Sequence, residues 1–172
     1  MNAITPGTEP SVPGMHQAKA AAAADPRQFI TFTLDAQEYG VDIMRVREIK
    51  GWTETTALPQ APSYVRGVIN LRGIIVPILD LRARFGMGTT APTRMHVVII
   101  VITDTRTTGL LVDAVSDIIS VEPDTIRPVP RMDDRPAEDS FLDGLVALGE
   151  RMVTLVSLDG LIGSAGASAR TH

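Results

Sequence analysis

The chain has 172 residues, 44% of them hydrophobic and only 4% aromatic, with a net charge of −4 and a sequence pI near 5.3. That length holds one domain or two small ones sharing a core, and the apolar fraction excludes wholesale disorder. The acidic balance argues against a nucleic-acid surface, and the lack of any cysteine removes disulfides, thiolate zinc sites and thiol nucleophiles.

Residues 1–27 are rich in Pro, Gly and Ala without periodicity and are expected to be a disordered tail. In Phe29–Leu34, Ile30, Phe32 and Leu34 alternate with threonines, the pattern of a strand with one buried face. Asp35-Ala36-Gln37 turns into a second strand with Tyr39, Val41 and Ile43 inward. Gly67–Leu71 and Ile74–Leu79 form a hairpin with Arg72-Gly73 at its tip. Pro77 cannot donate a ladder hydrogen bond, which puts its strand at an edge or a bulge. Asp80 caps a short helix over Leu81–Phe85, which Gly86 closes. Met95–Ile102 is apolar on both faces and reads as a central strand. Gly109–Val121 is a further strand region, Arg127–Ser140 a Pro-rich surface loop, and Met152–Leu158 the last strand. From about residue 163 a flexible tail is expected. Eight to ten short strands at this spacing indicate barrels or sandwiches.

An internal echo runs through these elements. Gly67, Leu71, Val76 and Ile78 recur 77 residues later as Gly144, Leu148, Val153 and Leu155. Duplication and chance likeness of two apolar hairpins both account for it.

Catalytic patterns are missing. No glycine-rich phosphate cradle precedes a helix, no G-x-S-x-G elbow occurs, and three histidines at positions 16, 96 and 172 cannot assemble a metal site. The carboxylate candidates for acid–base work are Asp113 with Asp117, or Asp42 with Glu48, and strand-edge capping is the commoner use of such residues. His96 has no carboxylate close by in the sequence. The most apolar run, Val97–Ile102, is far shorter than the ~20 residues of a membrane-spanning helix. Neither a cofactor nor an enzymatic activity is expected. Arg66, Arg72, Arg82 and Arg84, which bracket two apolar strands, suit interface work as readily as solubility.

Four blocks resemble the CheW family, the coupling proteins of bacterial chemotaxis. They are Tyr39–Ile49; Arg66–Gly73 with the following Ile75–Ile78 and Asp80–Arg82; Gly109–Asp117; and Gly144–Gly149, in the family order. The likeness spans residues 28–162 and implies a mainly β fold of two five-stranded, SH3-like β-barrels sharing a hydrophobic core, with short helices. It implies a cytoplasmic, non-catalytic adaptor recruited to receptor arrays. Its partners would be the tips of chemoreceptors, the regulatory domain of the histidine kinase CheA, and other CheW-like domains in rings. Neither nucleic acid nor direct membrane insertion is implied. Residue by residue, the resemblance assigns receptor binding to Val46, Glu48, Gly67, Arg72, Val97 and Val98, and kinase binding to Arg127 and Met132. The alternative within the same likeness is a regulatory-domain fragment of a CheA-type kinase, or of a fusion between a coupler and a receiver.

Overall fold

The computed structural model describes residues 25–104, 106–130 and 141–162. Ten strands run in the order β1 Arg27–Leu34, β2 Gln37–Asp42, β3 Val46–Gly51, β4 Val65–Leu71, β5 Ile74–Asp80, β6 Val97–Ile102, β7 Thr107–Val112, β8 Ala114–Val121, β9 Leu142–Leu148 and β10 Arg151–Val156. A single α-helical turn, α1 Leu81–Arg84, follows β5, and a helical stretch begins at residue 158. The expected tail over 1–27 overlaps β1, because Arg27 pairs with Val121 and ion-pairs with Asp42. Residues 1–24 and 163–172, to which the two tails were otherwise assigned, lie outside the described residues.

The strands form two five-stranded sheets, β8-β1-β2-β10-β9 and β3-β6-β7-β5-β4. The second, inner sheet is one continuous stretch of chain. The first, outer sheet is assembled from the strands on either side of it. Neither is a closed barrel: the ladders stop between β3 and β4 and between β8 and β9. There a lone bridge spans each gap, Thr56 to Val68 and Arg127 to Leu145. Both bridges are made by reciprocal N–H···O=C hydrogen bonds of 2.8–2.9 Å.

The two sheets share one register. Val76 faces Ile69 and Val153 faces Val146, an offset of 77 residues. Ile49 faces Ile99 and Ile118 faces Ile30, an offset of 69. The parallel pairs Ile78–Gly109 and Leu155–Gly40 keep both offsets, and a bulge interrupts β3 and β8 at matching positions. The echo between the two hairpins is therefore a fold-wide correspondence, and duplication is the reading that accounts for it.

Strand pleat divides the apolar residues among three cores. Ile30, Phe32 and Leu34 of β1, Ile99 and Val101 of β6, and Leu110 and Val112 of β7 meet in the core shared by both sheets. The alternate residues Val98, Ile100 and Leu111 fill the inner sheet's own core, and Phe29 with Val153 and Leu155 fill the outer one. Central strands are thus apolar on both faces, as β6 predicted. Burying a side chain such as Phe32 fully contributes about 2–3 kcal/mol. A file of rings, Phe32, Tyr39, Phe85 and Phe141, crosses the seam at centroid spacings of 5.3–6.0 Å. Arg84 closes it, sandwiched between Phe141 and Tyr64 at 4.2 and 4.3 Å.

Two expectations need correction. Pro77 does not mark an edge strand, since β5 lies between β7 and β4. Its missing N–H is harmless because β7 pairs only with Ile78–Asp80, leaving Pro77 beyond the end of that ladder. The strand region Gly109–Val121 is two strands: at Asp113 the chain leaves the inner sheet and enters the outer one.

Candidate functional site

Arg72 occupies the tip of the β4–β5 hairpin. Two residues join Leu71 to Ile74 in a type I′ turn, which needs positive φ at both, here 53° at Arg72 and 90° at Gly73. The Asn70 side-chain oxygen accepts from the Gly73 N–H at 2.8 Å and fixes the turn. Gly73 adopts its angle freely, whereas an arginine in the left-handed region costs about 1–2 kcal/mol. At the matching tip of the β9–β10 hairpin the residue is Gly149, with φ 62°. An unfavourable arginine where the sister turn has glycine points to a use for the side chain.

The Arg72 side chain is 67% exposed and ion-paired with Glu48, which projects from β3. The hydrogen bond from Arg72 holds the Glu48 carboxyl below its ordinary range and raises the guanidinium further. Exposed Ile49, Ile74 and Ile75 adjoin this pair in the chain. The result is a basic anchor on a partly apolar surface, with Arg47 and Lys50 adding positive charge along β3.

Of the six residues assigned to receptor binding, the structure brings Glu48 and Arg72 into contact. Val46 and Val97 are half-buried against the shared core, at opposite ends of the β3–β6 ladder. Val98 is only 1% exposed, because the pleat turns it into the inner sheet's core, so it presents no side-chain surface. Gly67 is also buried: a Cβ there would lie 2.3 Å from the Thr56 carbonyl oxygen, and its φ is 137°. Its evident task is to let the bridging strand segment pass. Arg127 is exposed and its backbone forms the other bridge, to Leu145, so it is not simple loop. Met132 lies outside the described residues, as does most of the expected loop Arg127–Ser140.

The carboxylates considered for acid–base work are held by arginines. Asp113 takes two hydrogen bonds from Arg82, at 3.2 and 2.7 Å, and one from the Asp35 backbone N–H. Burial works to raise its carboxyl, but the Arg82 hydrogen bond and the Asp35 N–H outweigh it and the net shift is downward. Asp117 is lowered first by Thr31, whose hydroxyl donates to it at 2.7 Å, and then by Arg151. Asp42 caps the turn at Met44 and pairs with Arg27. His96 does have a carboxylate neighbour, Asp113 at 3.6 Å, which is remote in sequence. Among the described residues no group of three or more His, Asp or Glu could hold a metal, and no helix is long and apolar enough to cross a membrane. Sequence reasoning missed the Arg82–Asp113–Asp35 cluster, whose members come from three separate turns. It also missed the exposed isoleucines beside Arg72, which read as ordinary core positions.

Residues 28–166 match the family model described as CheW-like domain. The chain is 49% identical over 138 residues to a chemotaxis protein CheW of Rhizobium meliloti, covering 80% of this chain and 88% of that one. It is 41% identical over 146 residues to a chemotaxis protein CheW of Klebsiella aerogenes, covering 85% and 87%. Among solved structures, the scaffolding protein TtCheW of Thermoanaerobacter tengcongensis is similar with a TM-score of 0.70 at 32% identity, over 77% of this chain and 90% of that one.

Proposed function

This chain belongs to the CheW-like domain family, and from that premise we propose that it is a non-catalytic adaptor of bacterial chemotaxis. In this reading it works in the cytoplasm at receptor arrays. It joins the tips of chemoreceptors to the regulatory domain of the kinase CheA, and takes part in rings with other CheW-like domains. The observation that carries the proposal is Arg72, kept in an unfavourable backbone conformation at a hairpin tip and steadied by Glu48. A receptor tip is a helical surface, and an apolar trough with a few polar anchors suits it. Arg72 is the anchor, Glu48 aims it, and Val46 and Val97 line the surface. Gly67 and Val98 act from behind, by holding the strands in place. Arg127 belongs to the kinase-facing surface, together with Met132.

An adaptor of this kind needs no chemistry. It needs affinity that differs between two arrangements of receptor and kinase, so that the receptor's state shifts the kinase population. Co-sedimentation with receptor-containing membranes and CheA, comparing wild type with Arg72→Glu, tests this. The variant is expected to fold normally and to fail to bring active kinase into the pellet. A variant that assembles active complexes as well as wild type would remove Arg72 from the site.

A further inference from the structure

The shared register carries the Arg72 site onto the outer sheet. Glu48 corresponds to Asp117, Ile49 to Ile118 and Ile75 to Met152, by the same offsets of 69 and 77 that relate the ladders. Arg72 has its counterpart two positions further round the matching hairpin, in Arg151, which ion-pairs with Asp117 at 3.4 Å and also with Glu38. Both ends therefore pair an acid on a bulged edge strand with an arginine from the next hairpin tip. Both also place exposed apolar residues beside that pair, and Ile118 and Met152 are each 56% exposed.

Charge is where the two ends part. On the inner sheet Arg47, Lys50 and Arg72 face a single Glu48, a basic balance. At the corresponding outer positions Arg47 becomes Ser116, Lys50 becomes Ile119, Thr107 becomes Glu38 and Gly73 becomes Glu150. Each change moves the surface toward negative charge. Arg151 is engaged by two carboxylates, with Glu150 beside it, so the outer end is net acidic. Such a surface repels anionic lipid and nucleic acid and attracts a basic protein.

We infer that the Arg151–Asp117–Glu38 end of the outer sheet is a second docking surface, whose occupant is a protein segment presenting Lys or Arg beside apolar side chains. It repeats the architecture of the Arg72 end with opposite charge, so the two ends select different partners. The inference rests on the adaptor reading, which requires two partners held at once. It adds a docking surface beyond the residues assigned above, and the chemistry its occupant brings.

The test uses the full chain with a receptor cytoplasmic fragment and the kinase regulatory domain as separate probes. An outer variant carries Ile118→Lys with Glu150→Lys, and an inner variant carries Arg47→Glu with Ile49→Glu. All four positions are exposed, so folding should be spared, and thermal melts check this. The outer variant is expected to lose at least about tenfold in affinity for one probe and keep the other, with the inner variant doing the reverse. Wild-type affinity of the outer variant for both probes would overturn the inference, even if the inner variant lost one. It would also fall if the outer variant lost only self-association in analytical ultracentrifugation, since a second copy would then be the occupant. Wild type that binds neither probe would sink the adaptor reading itself.

Discussion

Gly67→Ala offers the sharpest test of how the inner sheet is closed. The added methyl carbon would stand 2.3 Å from the Thr56 carbonyl oxygen and 2.8 Å from its carbon. A comfortable carbon–oxygen contact is about 3.3 Å, so the bridging backbone must retreat by about 1 Å. That retreat breaks the reciprocal hydrogen bonds between Thr56 and Val68, each 2.9 Å long and each worth about 1 kcal/mol. Alanine at φ 137° adds strain of about 1–3 kcal/mol. The expected loss is about 3–5 kcal/mol, a large part of the 5–15 kcal/mol typical of a whole domain. Urea unfolding followed by circular dichroism measures it. Two glycines calibrate the result. A Cβ on Gly51 meets nothing within 4 Å, so Gly51→Ala should stay within about 0.5 kcal/mol of wild type. Gly144→Ala meets the Ile126 Cγ2 methyl at 2.6 Å and the Arg127 carbonyl oxygen at 3.0 Å, a milder backbone clash than at Gly67 and without positive φ, and should fall between, at about 1–3 kcal/mol. If Gly67→Ala came within 1 kcal/mol of Gly51→Ala, on the scale of the hydrogen bonds at stake, the steric reasoning would be refuted.

Further outcomes follow from the same contacts. Arg72→Gly relieves the left-handed arginine while losing only an exposed ion pair that water screens. Its melting temperature should match or slightly exceed that of wild type while receptor co-sedimentation drops, and a clear loss of stability would contradict the strain. Thr31→Val keeps the shape of a fully buried side chain but removes the acceptor of the Asp117 N–H and the donor to its carboxylate. A cost of about 1–3 kcal/mol in urea is expected, and a neutral result would show that water replaces the hydroxyl. Asp113 is held below its ordinary value, so the stability it provides is complete above about pH 4. That stability is lost as pH falls through the depressed folded value. Arg82→Met should therefore flatten the acid limb of the stability–pH curve below about pH 4, and an unchanged slope would show that Asp113 takes no part.

Strands were legible where period and turn chemistry agreed. The Arg72-Gly73 tip and the Asp80 cap sit where the chain's local pattern puts them. The threonine alternation of β1 located the strand but misled on its faces: Phe29 and Thr31 are buried as well, so β1 is covered on both sides rather than one. Pro77 misled because the edge rule concerns a hydrogen-bonding position rather than a strand: β5 is interior, yet its ladder with β7 begins one residue later. Val98 could not be separated from Val97 by pattern, since both faces of β6 are covered, each by a different core. The acid–arginine pairs were invisible for a simpler reason. Glu48 meets Arg72 across 24 residues and Glu38 meets Arg151 across 113, and only the sheet registers bring such residues together. The duplicated site was half visible, in the repeat of glycines and apolar residues. The repeat in β3 and β8 runs at a different offset, so a search at 77 residues alone could not find it.

The inner sheet's unbroken run in the chain bears on how the protein is made. All five of its strands have been synthesised once Val112 is reached, so it can assemble while the rest of the chain is still being translated. β1 and β2 emerge first yet must wait for β8 and β10 before their outer neighbours exist. Through that interval Phe29 lacks the outer core around Ile119 and Val153 that later encloses it. Loop closure over so long a span is slow, and the waiting hairpin is the part of the molecule most exposed to mispairing in the cell. An inner sheet already in place gives that hairpin a surface to rest Ile30, Phe32 and Leu34 against, so the order of synthesis itself guards the vulnerable strands.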